Sequence, residues 1–308
     1  MSAADRLFAV VVNWNGGELN RACLESLVAE GISPARIVFV DNASTDGSKE
    51  DVVARFPGLQ LVENDSNLGF GEGANQGARL ALARGARQVF FVNNDLVLEP
   101  GCLARLVVFL MAEPEVGICG PRVLQGEDPS KVWCAGGLLT WRQNLSTLRG
   151  HHKPDGPQYR RDLPVDYVPG CALLARAEVL DRLGGFDAAY FAYMEDVDLC
   201  LRAKASGFEV ALVGEAAALH KSSSATGGGY NPRRKYMMGV NSIWFLKQHG
   251  GVTAWLRFVL FDVLTLPVLF LVGLFNGRAV SVLAKGKGIV DGLRGRRVTA
   301  EAAAGGGA

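Results

Sequence analysis

Charge of one sign is scarce in this chain of 308 residues: 32 Lys and Arg stand against 31 Asp and Glu, a net of +1. No global field recruits nucleic acid, so any electrostatic steering must come from local clusters. The six cysteines, at 23, 102, 119, 134, 171 and 200, form no C-x-x-C pair and no Cys–His spacing suited to zinc. They read as reduced, mostly buried thiols, which favours the cytoplasm. A secretory signal is not expected either, because the apolar run at 8–12 is short and no small-residue cleavage site follows it. The run reads as a first strand. The length suffices for one large or two modest domains with a sizeable buried core.

Between residues 8 and 95, apolar β-branched runs alternate with helical stretches. Strands are expected near 8–13, 36–41, 59–63 and 88–93, and helices near 18–30, 46–56 and 71–84. Such a βαβ ladder implies a parallel sheet covered on both faces, with ligands beyond the C-terminal ends of the strands. Polar residues collect at those ends: Asn13 and Asn15, Asp41 and Asn42, 65–67, and Asn93, Asn94 and Asp95. Taken singly, each punctuates a turn or caps a helix, as Ser44, Thr45 and Asp46 do for the helix near 46. Four such groups at one sheet edge point to a crevice. The glycines at 69, 71, 73 and 77 resemble a dinucleotide fingerprint, which would make the chain an NAD-dependent dehydrogenase. They follow the third strand instead of the first, where a tight strand-to-helix turn explains them more simply.

Farther on, a helix is expected at 103–111 and a strand at 116–119, followed by a polar, irregular stretch at 126–165 that suits a binding loop or lid. Within it, Trp133 and Trp141 could stack on a sugar or lipid, or pack on the sheet, and His151 and His152 read as solvated. A strand at 169–175 and a helix at 176–183 lead to Gly184-Gly-Phe-Asp187 and to three carboxylates, Glu195, Asp196 and Asp198, behind an aromatic run. Asp198 lies four residues before Arg202, the spacing of a helical ion pair. That leaves Asp196 free to face a cleft as a general base. His220 ends an apolar segment and is either a satisfied core histidine or, with Asp95, a metal ligand.

Val40-Asp-Asn-Ala-Ser-Thr-Asp-Gly47, Asn67-Leu-Gly-Phe-Gly71 with Asn75, Asn93-Asn-Asp95 and the Gly-Gly-Phe-Asp, aromatic, Glu-Asp series resemble family 2 glycosyltransferases over roughly residues 8–250. The resemblance is closest to rhamnosyltransferase-like members. It implies a GT-A fold, a Rossmann-like α/β architecture with a mostly parallel sheet and helices on both faces. Residues 1–100 would form the half that binds the nucleotide sugar, through Asn13, Asn15, Asp41, Asn67, Gly69, Asn93 and Asn94, with Asp41 on the base. Residues 101–250 would form the acceptor-binding and catalytic half. Asp95 and His220 would bind Mg²⁺ or Mn²⁺, Asp196 would deprotonate the acceptor and Glu195 would orient it. Many relatives carry Asp where this chain has Asn93, and Arg where it has Val240 before Asn241. The implied reaction is inverting transfer from a nucleoside-diphosphate sugar to a lipid-linked or polysaccharide acceptor in cell-surface glycan synthesis. The alternative is a catalytically silent, membrane-bound nucleotide-binding scaffold.

The segment at 222–236 is glycine-rich and then basic; it suits a lid, with Arg233, Arg234 and Lys235 either on donor phosphates or at a solvated helix start. Residues 251–308 form the third part, an apolar run at 258–275 followed by a basic tail, and the tract at 302–308 reads as disordered. The apolar run is near the limit for crossing a bilayer. An interfacial or re-entrant helix pair broken at Pro267, a single tilted span and a docked helix all fit it, and the basic residues favour the anionic cytoplasmic membrane surface.

Overall fold

The computed structural model describes residues 6–221 and 230–301. The glycine run expected to act as a lid, at 222–229, and the tract at 302–308 lie outside the described residues. The ladder at the start is β1 (Leu7–Asn13), α1 (Leu19–Ala29), β2 (Ile37–Asp41), α2 (Ser48–Arg55), β3 (Gln60–Glu63), α3 (Gly69–Ala83) and β4 (Gln88–Asn93). Its strands are all parallel, in the order β3-β2-β1-β4. Side chains along β1 alternate between two cores, Leu7, Ala9 and Val11 against α1, and Phe8 and Val10 against α3, as a strand buried on both sides requires. Gly77 belongs to this packing, since a Cβ there would meet Val10 Cγ1 at 2.4 Å.

The second half continues the same sheet. β5 (Leu96–Leu98) and α4 (Cys102–Ala112) precede β6 (Val116–Gln125), then β7 (Val132–Cys134), β8 (Gly137–Leu139), β9 (Ser146–Leu148), β10 (Leu163–Pro164), β11 (Ala172–Arg176), α5 (Ala177–Leu183), α6 (Glu195–Ala205) and β12 (Glu209–His220). β11 runs antiparallel between β4 and β6, β12 lies parallel to β6, and β5 pairs antiparallel with the end of β12. Parallel pairing thus dominates the first half and mixed pairing the second. The stretch expected to be irregular at 126–165 holds several strands of two or three residues, too short to display a period of two. The two apolar runs at 210–213 and 216–219 form one strand, whose register against β6 shifts between Val213 and Ala217.

At the C-terminus, α7 (Pro232–His249), α8 (Val252–Phe258), a π-helical turn (Val259–Val263), α9 (Leu266–Asn276) and α10 (Ala279–Leu293) complete the chain. Pro267 does not break the helix, which continues from Val252 to Asn276. A π-helical turn lies ahead of it, in which Leu264 N–H reaches Val259 O at 2.9 Å and the Thr265 hydroxyl donates to Phe261 O at 3.0 Å. α10 packs on α7 through glycines, with a Cβ on Gly288 falling 2.2 Å from Tyr236 O and one on Gly239 falling 2.5 Å from Lys285 O.

A buried polar cluster fixes the long helix to this pair. Lys285 Nζ contacts Asp262 Oδ1 and donates to Asn144 Oδ1 at 2.9 Å, while Asn144 N–H donates to Asp262 Oδ2 at 3.0 Å. Asp262 and Lys285 are both buried, so removing either one strands an ion in a low dielectric. Lys285→Met should cost about 3–5 kcal/mol of stability, whereas Asp262→Asn combined with Lys285→Met should recover most of it. Urea unfolding followed by circular dichroism measures both; equal losses from the single and double variants would contradict the pairing.

Candidate active site

Asn13 organises the crevice at the ends of β1, β2 and β4. Its amide nitrogen lies 2.8 Å from Asp41 Oδ1, 3.0 Å from Ser44 Oγ and 3.0 Å from Ser48 Oγ. Its Oδ1 accepts from Gly16 N–H at 3.1 Å, Asn20 Nδ2 at 2.9 Å and Asn94 Nδ2 at 3.1 Å. Fully buried and saturated by protein partners, this amide shapes the crevice for others. Asp41 is held by Asn13 and by Ser44 N–H, which donates to its Oδ2 at 3.0 Å. Asn15 is exposed at the rim, with Oδ1 accepting from Thr45 N–H at 2.8 Å. Asn67 Oδ1 accepts from Gly69 N–H at 2.9 Å, and Asn93 stands half-buried where β4 ends. All of these sequence-selected residues lie along one sheet edge.

The glycines at 69–77 have packing roles. Gly69 has φ +82°, and a Cβ there would fall 2.4 Å from Phe191 O, the carbonyl that accepts from Phe70 N–H at 2.7 Å. Gly73 faces Val12. These glycines let α3 lie on β1 and let the loop before Glu195 approach the start of α3, which removes the dinucleotide reading.

Asp95 and His220 meet because β5 and β12 pair antiparallel, with His220 opposite Leu96. His220 Nε2 is 3.3 Å from Asp95 Oδ1, and both residues are buried. Asp95 Oδ1 and both ring nitrogens of His220 have no hydrogen-bond partner within the protein. Buried polar atoms are almost always satisfied, so three orphans in one contact mark a place for a further group. A carboxylate oxygen and an imidazole suit a divalent cation such as Mg²⁺ or Mn²⁺, and among the described residues no third His, Cys, Asp or Glu joins them. The protein would supply two ligands and leave the remaining positions open. Trp133, whose ring lies 4.5 Å from that of His220, closes one side.

Asp196 approaches the same edge from α6. Gly170 N–H donates to its Oδ2 at 2.9 Å, and the neighbouring Cys171 carbonyl accepts from Asn93 N–H at 3.0 Å, so β4 and α6 are tied across two residues. Burial raises the Asp196 carboxyl above its ordinary range. Glu195, buried with Oε2 lacking a partner, is raised well above the usual carboxylate range by burial and then by Asp196 beside it. Asp198 is turned inward onto Arg202 Nε and His249 Nε2, both at 2.7 Å, and so has the structural place that its spacing indicated.

The loop presenting these acids is unusual. Phe191, Tyr193 and Met194 have φ of +62°, +71° and +77°, conformations that disfavour L residues. Helix α7 holds the loop there. Asn241, fully buried, places its amide nitrogen 2.9, 2.8 and 2.9 Å from the carbonyls of Tyr190, Ala192 and Tyr193. One helical turn on, Trp244 Nε1 donates to Asp187 Oδ2 at 3.2 Å, and a turn beyond that Gln248 accepts from the Tyr190 hydroxyl at 2.8 Å. Asn75 brackets the preceding strand-like turn, bonding Phe186 N–H and Phe186 O, each at 2.8 Å. Sequence patterning did not single out Asn241, Trp244 or Gln248 as site residues. Their i, i+3, i+7 spacing on α7 was the available signal. Arg234 lies over the Tyr193 ring, 5.3 Å from its centroid, beside this loop.

The family model described as Glycosyl transferase family 2 matches residues 8–183. The chain belongs to that family. N-acetylglucosaminyl-diphospho-decaprenol L-rhamnosyltransferase of Mycobacterium tuberculosis is 31% identical to this glycosyltransferase over 72% of the chain and 78% of its own length. The low-salt glycan biosynthesis hexosyltransferase Agl10 of Haloferax volcanii is 23% identical over 67% and 64%. Among solved structures, the mannosyltransferase PcManGT of Pyrobaculum calidifontis, in complex with GDP-Man and Mn²⁺, superposes with a TM-score of 0.56 at 16% identity, covering 94% of this chain and 88% of that one. GalNAc-T7 with UDP, GalNAc and Mn²⁺ gives 0.58 at 14% identity, over 82% and 53%. The architecture is thus that of GT-A glycosyltransferases.

Two measurements follow from this geometry. A carboxyl whose pKa is raised on folding destabilises the fold once ionised, so its cost is absent below the unfolded pKa and grows as pH rises towards the folded one. Glu195→Gln should therefore raise the melting temperature at pH 7, by about 2–4 °C for each kcal/mol relieved, and leave it nearly unchanged near pH 4. A gain that is equal at both pH values would contradict a raised Glu195. Asn241→Leu should reduce kcat by at least about tenfold with donor affinity preserved, because it frees the strained loop and not the nucleotide edge. Loss of donor affinity alone would contradict that division.

Proposed function

We propose that this family 2 glycosyltransferase is an inverting, metal-dependent enzyme that moves a sugar from a nucleoside-diphosphate donor to a lipid-linked acceptor. The observation that carries the proposal is the placement of two features at one sheet edge: the orphaned pair Asp95–His220, and Asp196 with its raised proton affinity. Donor and nucleotide would lie along Asn15, Asp41, Asn67, Gly69, Asn93 and Asn94, with Asn13 keeping that edge in shape. Asp95 and His220 would hold Mg²⁺ or Mn²⁺, which when bound neutralises the charge of a departing diphosphate.

Asp196 is the group suited to take the acceptor proton. Each of its oxygens accepts one backbone N–H, from Gly170 and from Val197, which fixes the carboxylate plane and leaves lone pairs for a hydroxyl. In a single displacement the acceptor oxygen bonds the anomeric carbon as the bond to the diphosphate oxygen breaks, and the acceptor proton passes to Asp196. Attack opposite the leaving group inverts the anomeric centre. Buried Glu195 would orient the acceptor, in keeping with the neutral form that burial favours.

The name of the mycobacterial relative supports rhamnose as the sugar and a sugar on a polyprenyl diphosphate as the acceptor. The cytoplasmic face of the membrane suits such an acceptor and six free, buried thiols.

Asp196→Asn should lower turnover by about a hundredfold or more while donor Kd stays within about twofold, as expected when general-base assistance alone is removed. Single-turnover transfer and calorimetric titration measure the two quantities on purified protein with a panel of nucleotide sugars. Full activity in the variant would remove Asp196 from the reaction. No transfer or donor hydrolysis by the wild type with any sugar would indicate a silent scaffold.

A further inference from the structure

The helix Val252–Asn276 is long and apolar enough to cross a bilayer, with mean hydropathy 2.5, and little of it is buried. Its attachments rule against crossing. Ala254, Phe258 and Asp262 are buried at four-residue intervals, so one stripe of the helix lies along the catalytic domain. Phe258 belongs to the main core, and Asp262 is locked to Lys285 and Asn144. At the far end the chain turns at Gly277, and by Ser281 it is again on the body, where the Ser281 hydroxyl donates to Tyr230 O at 2.9 Å. The four residues between, 277–280, reach at most about 14 Å when extended, less than half of the roughly 30 Å hydrocarbon core.

The rest of the helix surface is apolar and open. Leu256, Leu260, Leu264, Val268, Leu271 and Phe275 are exposed, Phe275 at 93%. Soluble surfaces seldom leave so continuous a stripe uncovered. Between residues 251 and 300 the only acids are Asp262 and Asp291, both buried and paired, whereas Arg257, Arg278, Lys287 and Arg294 are exposed. The exposed charge that residues 251–300 themselves present is therefore all of one sign.

We propose that this stripe docks flat on an anionic lipid bilayer, the helix lying in the interfacial plane and the protein body serving as its polar side. The proposal sharpens the membrane association given above and rests on it. A helix about 37 Å long lying in the plane offers its apolar residues to the acyl boundary and its rim of cations to acidic head groups. Because α10 packs on α7, and α7 holds the loop that leads into Glu195 and Asp196, such docking also orients the acceptor side of the crevice with respect to the bilayer.

Flotation of the full chain with vesicles of phosphatidylcholine, with or without phosphatidylglycerol, tests the surface. Binding should require phosphatidylglycerol, weaken in high salt, and fall at least about tenfold in Leu260→Glu/Leu271→Glu and in Arg257→Glu, with circular dichroism and melting unchanged. In intact cells, an impermeant maleimide should leave Phe275→Cys unlabelled and label it after detergent lysis. Labelling from outside would overturn the flat orientation and keep the membrane association. Failure to bind any vesicle would overturn both. A lipid-free dimer that Leu260→Glu/Leu271→Glu abolishes would assign the stripe to a second copy and overturn the proposal.

Discussion

The site depends on one unsatisfied contact. Asp95 and His220 are brought together in a buried place by an antiparallel ladder, and neither finds the hydrogen bonds that burial demands. A folded chain tolerates such a cost where another group completes it. Two ligands from neighbouring, paired segments would leave the outer positions of a cation open to phosphate oxygens, so that a leaving group could be gripped without being enclosed. The rest of the crevice is consistent with that demand. Asn13 holds the strand ends in place, and Asp41 and Asn94 are oriented by it.

Opposite this contact, the acids on α6 are placed by a part of the molecule that never reaches the chemistry. Three residues with positive φ, Phe191, Tyr193 and Met194, precede Glu195, and they stay there because Asn241 binds three of the loop carbonyls at once. Strain of roughly 1–3 kcal/mol for each such residue persists only when the surroundings over-determine it. Helix α7 therefore links two regions, the acid-bearing loop on one side and α10 with the apolar helix on the other.

Much of this was legible from sequence. Strands of continuous β-branched residues on both sides of helical periods gave β1 to β4 and α1 to α3 within about two residues. The Asp198–Arg202 pair was visible because i, i+4 spacing is local. The pairing of Asp95 with His220 was reached by resemblance, since nothing in residues 125 apart reveals an antiparallel register. Other contacts between residues far apart in the chain were missed: the amide of Asn241 at the loop carbonyls, and Lys285 with Asp262 and Asn144. Strands of three residues such as β7 to β9 carry no period, and Gly214 hid the continuity of β12. The continuity of the helix through Pro267 rests on a π-helical turn, a backbone adjustment with no composition of its own.

If Asp95 and His220 share one cation, crystals grown with Mn²⁺ and a nucleoside diphosphate and measured at the manganese absorption edge should show it. One anomalous peak is expected within coordination distance of both Asp95 and His220 and of a diphosphate oxygen. A diphosphate bound in the crevice with no manganese there, or with manganese held by other residues, would contradict it.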